Sequence, residues 1–198
     1  MMNVTLLKSS DYAVSQWSGG STTQIAIEPA TALYADRDFT WRLSSATVEL
    51  DESLFTALPD YNRLIATLSA PIELCHDGGE RFTLQPRAVH AFDGGAETQC
   101  WGKCVDFNLM LRKGRASGAS RAVCGGETLA PMGDICAEGH VLYLYCVQGS
   151  GELCFGEEKL ALTAGETAVV RAWQGEALRL EGSGFICMAA EAWLNKKP

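Results

Sequence analysis

At 198 residues, with 47 % apolar and 20 % charged side chains, the chain has the composition of an ordinary globular protein, long enough for one sizeable core or two small joined ones. Its formal net charge of −8 repels nucleic acid and anionic lipid, and residues 195–198 are only a short basic tail suited to solubility. No window approaches the ~18 apolar residues of a transmembrane helix, and the N-terminus shows no basic leader, so a cytoplasmic protein without nucleic-acid or membrane partners is expected.

The strand signals begin at residues 22–28, which alternate and stop at Pro29. Residues 39–50 are rich in aromatic and β-branched types, residues 63–69 follow a Pro-Asp turn, and residues 72–76 run into Asp77-Gly78-Gly79. Short runs at 81–84 and 89–92 precede Asp93-Gly94-Gly95, and the pair 97–102 and 105–111 closes this half. Short strands at such spacing, separated by Gly and Asp turns, predict a sandwich or barrel.

Residues 113–120 are small and polar, so residues 114–137 read as an exposed connection between a unit at 1–113 and a second at 138–198, the two forming one compact domain. The second unit carries strand patterns at 141–147, 152–155, 158–162, 166–170, 177–181 and 184–190. Propensity alone makes residues 189–197 a short terminal helix. The turns Gln148-Gly149-Ser150-Gly151 and Ala164-Gly165-Glu166 suit a cupin jelly roll, with glycine where positive φ is required.

The eight cysteines are scattered, lack a Cys-x-x-Cys pair and sit largely in apolar runs, as buried thiols of a reducing compartment do. A metal-binding cupin uses two histidines two residues apart, a Glu and a later His. Here there are three histidines, His76, His90 and His140, and no His-x-His. His76 with Glu80, or with His90 on an adjacent strand, would be the pairing to test. The leading expectation is no metal, no cofactor and no catalytic residue. There is no Gly-x-Ser-x-Gly elbow, and neither Cys75 nor Cys104 has a neighbourhood that clearly activates it.

Period two is more informative. Asp106, Asn108, Met110 and Arg112 share one strand face opposite Val105, Phe107, Leu109 and Leu111; Arg42, Ser44 and Ala46 lie opposite Trp41, Leu43 and Ser45. Such polar faces are either solvent-facing or the wall of a polar pocket, in which Arg grips a carboxylate bidentately while Asn and Ser orient it.

Four motifs in order, Trp-Ser-Gly-Gly-x-Thr-Thr-Gln, Arg-Asp-Phe-x-Trp-Arg-Leu-Ser-x-Ala, Phe-Thr-x-Leu-Pro-x-Tyr-x-Arg and Gly-Lys-Cys-x-Asp-Phe-Asn-Leu-Met, resemble the HutD/Ves family between Trp17 and Arg112. The resemblance implies an all-β bicupin, two jelly-roll β-sandwich units in one chain, linked to histidine utilisation as an accessory or regulatory component with no enzymatic activity established. It points to Trp17, Gly20, Thr22, Arg42, Ser44, Arg63, Asp106, Asn108 and Met110. The chain departs from the family at Asp60, where Gly is usual, and lacks the Asn that follows the Trp in some members.

The expectation is therefore a non-enzymatic module that binds a small polar or carboxylate metabolite through Trp17, Thr22, Arg42, Ser44, Arg63, Asp106, Asn108 and Met110. The alternatives are a metal-independent isomerase or hydrolase with Asp106 as base, and a protein-interaction scaffold. A homodimer is compatible with all three.

Overall fold

The computed structural model describes residues 2–196, and they fall into two compact units: Tyr12–Arg115, and a second built from residues up to Asp11 together with those from Ala116 onward. Both are all-β, and every strand pairing in them is antiparallel. Lys197 and Pro198, the end of the basic tail, lie outside the described residues.

Strand β1 (Asn3–Leu7) belongs to the second unit. The first unit then runs β2 (Ala13–Trp17), β3 (Gly20–Glu28), β4 (Trp41–Val48), β5 (Glu52–Leu54), β6 (Tyr61–Thr67), β7 (Ile72–His76), β8 (Phe82–Leu84), β9 (Val89–Asp93), β10 (Thr98–Trp101) and β11 (Cys104–Arg112). It forms a six-stranded sheet in the order β2-β3-β4-β11-β6-β9 and a four-stranded sheet in the order β5-β10-β7-β8. Ile65, Ile72, Leu74, Leu84 and Cys100 form one core cluster, and Phe39, Leu58, Tyr61 and Met110 another. The Phe39 and Tyr61 rings stack at 4.3 Å, and the Tyr61 hydroxyl donates to the Phe39 carbonyl at 3.0 Å.

The second unit continues with β12 (Ala116–Cys124), β13 (Thr128–Leu129), β14 (Val141–Gln148), β15 (Ser150–Phe155), β16 (Glu158–Thr163), β17 (Thr167–Arg171), β18 (Leu178–Glu181) and β19 (Ile186–Leu194). Its sheets are ordered β1-β17-β14-β19-β12 and β13-β18-β15-β16. Leu142, Leu144, Val170, Leu153, Leu178 and Phe185 meet in one apolar core.

Three expectations fail here. Residues 116–124, read as part of an exposed connection, are strand β12, paired with β19 over nine residues from Ala116↔Leu194 to Cys124↔Ile186. Small side chains carry little intrinsic strand preference, and β12 is set instead by the backbone it finds on β19. The terminal helix is likewise a strand. Residues 189–192 lie between β14 on one side and β12 on the other, with 193–194 paired to β12 alone, and these hydrogen-bond ladders override the helical propensity of an Ala-rich segment. The N-terminal residues, given to the first unit by the sequence reading, pair with β17 of the second.

Gly20 shows why the glycine pair after Trp17 is needed. Its φ is +144°, and a Cβ there would lie 1.9 Å from the Thr47 carbonyl oxygen on β4. Only glycine lets the β2–β3 hairpin lie flat against β4.

Candidate functional site

The register of the six-stranded sheet decides which side chains share a face. Asn108 sits opposite Ser44 and Ile65, Met110 opposite Arg42 and Arg63, and Asp106 opposite Thr67. On the far side of β4, Thr22 pairs with Ala46 and Gln24 with Ser44, after which a bulge in β3 shifts the register. Opposed residues point the same way, so one face gathers Thr22, Arg42, Ser44, Arg63, Asp106 and Asn108. They line a cavity of about 330 Å³ in the unit Tyr12–Arg115, and Trp17 and Met110 complete the set that the sequence singled out. Trp17, 41 % exposed, and Leu54, 65 % exposed, mark its open side.

The polar face is not a solvent-facing side. Arg42, Ser44, Arg63, Asp106 and Asn108 are all buried, and so are Leu43 and Leu109 on the opposite face. Arg42 is held by three contacts: Nε donates to Gln24 Oε1 at 2.8 Å, a terminal nitrogen donates to Ser44 Oγ at 3.2 Å, and the guanidinium lies 4.2 Å from the centre of the Tyr34 ring. Arg63 lies over two rings, Phe55 at 4.9 Å and Phe92 at 5.1 Å, and its Nε has no hydrogen-bond partner. Burial lowers the pKa of both arginines from the usual value, yet a guanidinium stays charged at neutral pH. No ion pair among the described residues joins either one to a carboxylate.

Asp106 is the only acidic residue of the lining. Its Oδ1 accepts the Ala46 N–H at 2.8 Å, and its backbone carbonyl accepts the Ser45 hydroxyl at 2.6 Å. Burial pushes its carboxyl up to about 6, against the pull of the Ala46 N–H and of the Arg63 and Arg42 charges. Two residues along, Asn108 Oδ1 is buried with no donor. Two guanidiniums against one carboxylate leave the cavity with excess positive charge, and buried unpartnered polar atoms are costly unless a ligand or water satisfies them.

Some contributors escaped the sequence reading. Gln24, Tyr34 and Phe55 are the groups that orient or cover the arginines. Phe55 stands in the Phe-Thr-x-Leu-Pro motif, so a signal was present; Tyr34, in a single helical turn at Tyr34–Asp36, had none. Arg112, on the same strand face as Asp106, lies outside the lining and donates to the Arg37 carbonyl at 2.9 Å and the Tyr61 hydroxyl at 3.1 Å.

His76 and His90 do meet, Nε2 to Nε2 at 2.8 Å, but from β7 and β9, which are strands of different sheets. His76 Nδ1 lies 2.8 Å from Thr98 Oγ1, and Thr98 itself donates to the Ala96 carbonyl. Two neutral imidazoles joined by one shared N–H satisfy this geometry. Burial raises the Cys100 thiol to about 11 and the Cys104 thiol to about 12, so neither is activated, and all eight thiols of the chain are free.

The model of the HutD family matches residues 9–188, nearly the whole chain. The chain belongs to the HutD family. Among solved structures it is similar to HutD from Pseudomonas fluorescens SBW25, with 25 % identity, a TM-score of 0.77 and coverage of 98 % of this chain and 100 % of that one. The conserved protein of unknown function PA5104 from Pseudomonas aeruginosa PAO1 matches at 24 % identity and TM-score 0.75, over 98 % of this chain and 100 % of that one. Oxalate decarboxylase from Lactobacillus farciminis, in a formate complex, shares the fold at 8 % identity and TM-score 0.60, over 96 % of this chain and 86 % of that one. Among curated protein sequences none matches. The HutD fold is thus the two-cupin architecture expected from the motifs, and no helix among the described residues is long and apolar enough to cross a membrane.

Proposed function

We propose that this HutD-family chain is a non-enzymatic binding protein that holds a small carboxylate metabolite in the cavity of its unit Tyr12–Arg115, as an accessory or regulatory component of histidine utilisation. The reading is carried by Arg42 and Arg63, two buried guanidiniums without a carboxylate partner. A ligand carboxylate would supply the missing charge and accept from the free Arg63 Nε in the geometry that guanidinium favours. The relative from P. fluorescens was solved in a formate condition, formate being the smallest carboxylate.

Thermal-shift and calorimetric titration with formate, glutamate, formylglutamate, formiminoglutamate, urocanate and histidine tests the reading. A ligand at a hundred times its dissociation constant adds about 2.7 kcal/mol to the folded state. Arg42→Ala should lose that response while keeping the fold. Silence of the wild-type chain across all six compounds would refute it.

Asp106 favours one other reading. A carboxyl raised to about 6 inside a cavity is poised as a general base near neutral pH, with Arg42 or Arg63 stabilising an oxyanion in a metal-independent isomerase or hydrolase. Turnover of one of these compounds, abolished in Asp106→Asn, would establish that reading over simple binding.

A further inference from the structure

A carboxylate drawn to Arg42 and Arg63 does not enter a purely cationic cavity; it enters one that already holds a buried acid. Among the described residues Asp106 has a single side-chain hydrogen bond, from the Ala46 N–H to Oδ1, and no direct ion pair with either arginine. Within a cavity of about 330 Å³ the ligand's charge and that of Asp106 share one poorly solvated space. Each carboxylate penalises the charged form of the other, and once the ligand takes up the pull of Arg42 and Arg63, the buried Asp106, with one hydrogen bond and no ion pair, is the member left to take a proton.

We infer that a carboxylate ligand enters this cavity together with one proton, which Asp106 takes up, so that Asp106 determines the specificity of the site for acids. The inference rests on the binding reading above. The proton passes from solvent to the Asp106 carboxyl and no other bond is made or broken. The protonated carboxyl then offers an O–H to a ligand oxygen, a short charge-assisted bond where repulsion would otherwise stand.

The groups that face Asp106 make it the titrating member. From β4 come Arg42 and the Ala46 N–H, and from β6 Arg63, both arginines charged throughout. From β10 comes Cys100, and from its own strand Cys104, held at about 11 and about 12 and so neutral at physiological pH. Burial puts both His76 and His90 below the usual histidine value, and the Arg63 charge lowers His76, whose ring stacks on Phe92, further. With its carboxyl near 6, Asp106 is largely ionised above neutrality in the free protein and is driven upward by the incoming charge.

The sign follows from linkage. The complex binds more protons than the free protein between the two Asp106 values, so affinity is flat below about pH 6 and falls about tenfold per pH unit above it, until the value in the complex is reached. The probes are formate and acetate, titrated calorimetrically into the full chain from about pH 5.5 to about pH 8.5, with the measurement near neutrality repeated in buffers of different ionisation enthalpy.

The expected result is an apparent enthalpy that varies with the buffer by close to one proton taken up, and an Asp106→Asn variant that loses the slope with pH. The wild-type buffer series stands whether or not that variant folds. Formate binding with a buffer-independent enthalpy would overturn the inference and leave the binding reading intact. So would a slope that survives in Asp106→Asn, which would pass to the His76–His90 pair, or glycine binding more tightly than acetate as pH rises, which would show Asp106 kept ionised to hold an ammonium. A folded chain that binds no carboxylate at any pH would overturn the binding reading and the inference with it.

Discussion

Replacing Arg63 by Met separates what the site does for binding from what it does for the fold. Arg63 is 6 % exposed, has no carboxylate partner and leaves Nε without an acceptor, so the empty protein carries a poorly compensated buried charge. Desolvating one such ion costs several kcal/mol even after relaxation. Against that stand the two ring contacts, at 4.9 and 5.1 Å, worth about 0.5–2 kcal/mol each. The longer-range attraction between Arg63 and Asp106 is also lost, but a carboxyl already near 6 neutralises at small cost. A Met side chain fills a similar apolar volume between Phe55 and Phe92, and the balance favours the variant by about 1–2 kcal/mol. For a unit the size of Tyr12–Arg115 each kcal/mol moves the midpoint by about 4–8 °C. Thermal unfolding with and without formate is the assay: Arg63→Met should melt higher than the wild type when both are empty, and should gain nothing from ligand. A variant that melts lower by about 5 °C or more would show Arg63 to be structural, and the argument from its unpaired charge would fall.

Three further outcomes are expected. Asp106→Asn keeps an oxygen for the Ala46 N–H and should stabilise the protein at pH 7 by up to about 3 kcal/mol; the wild-type carboxyl is raised in the fold, so its stability falls as pH rises from about 4 to about 6, and chemical denaturation of the variant should lack that decline. Glu191→Ala removes the acceptor for the Met132 and Gly133 N–H groups, at 3.0 and 3.1 Å, and for buried His140, and should cost about 3–5 kcal/mol, read as faster amide exchange around residues 132–140 and a lower midpoint for the second unit. Gly20→Ala places a methyl 1.9 Å from the Thr47 carbonyl and should cost about 2 kcal/mol or more, with a change in Trp17 fluorescence as the β2–β3 hairpin lifts from β4.

How far the sequence could be read depended on whether side chains or backbone decided the outcome. Residues 72–76 and 89–92 were placed almost to the residue as β7 and β9, because Gly and Asp turns bound them and alternation fills them. Strand β12 was missed because its small polar side chains say nothing, and its partner lies about seventy residues on. At the site, period two put Asp106 with Asn108 and Arg42 with Ser44 correctly, since strand geometry fixes which residues share a face. It could not place Tyr34 above Arg42 or Phe55 above Arg63, contacts made across loops that no periodicity describes. Arg112 shares the period with Met110 yet stands beyond the cavity, because a face is as long as its strand and a cavity is not.

The two units carry the same kind of β-sandwich with opposite interiors, and that contrast argues for where the function lies. On β19 the inward positions Cys187 and Ala189 are apolar, as are Leu142, Leu144 and Cys146 on β14 and Ala168 and Val170 on β17. The inward acid Glu191 stands near the end of β19 with three donors around it, so its burial is locally compensated. On β11 the corresponding kind of face carries Asp106 and Asn108, and its neighbours supply Arg42, Ser44 and Arg63. A fold that can close its interior with Leu, Val and Ala in one unit is under no architectural demand to bury two arginines and an aspartate in the other. Arg63 Nε and Asn108 Oδ1 stay without partners in the interior of the unit Tyr12–Arg115, so the polar groups there lower the stability of the empty chain. Among the described residues the apolar interior of the other unit leaves His140 Nδ1 alone without a partner, and a cavity that gathers two arginines, an aspartate and two unpartnered atoms is what a binding site requires and a scaffold does not.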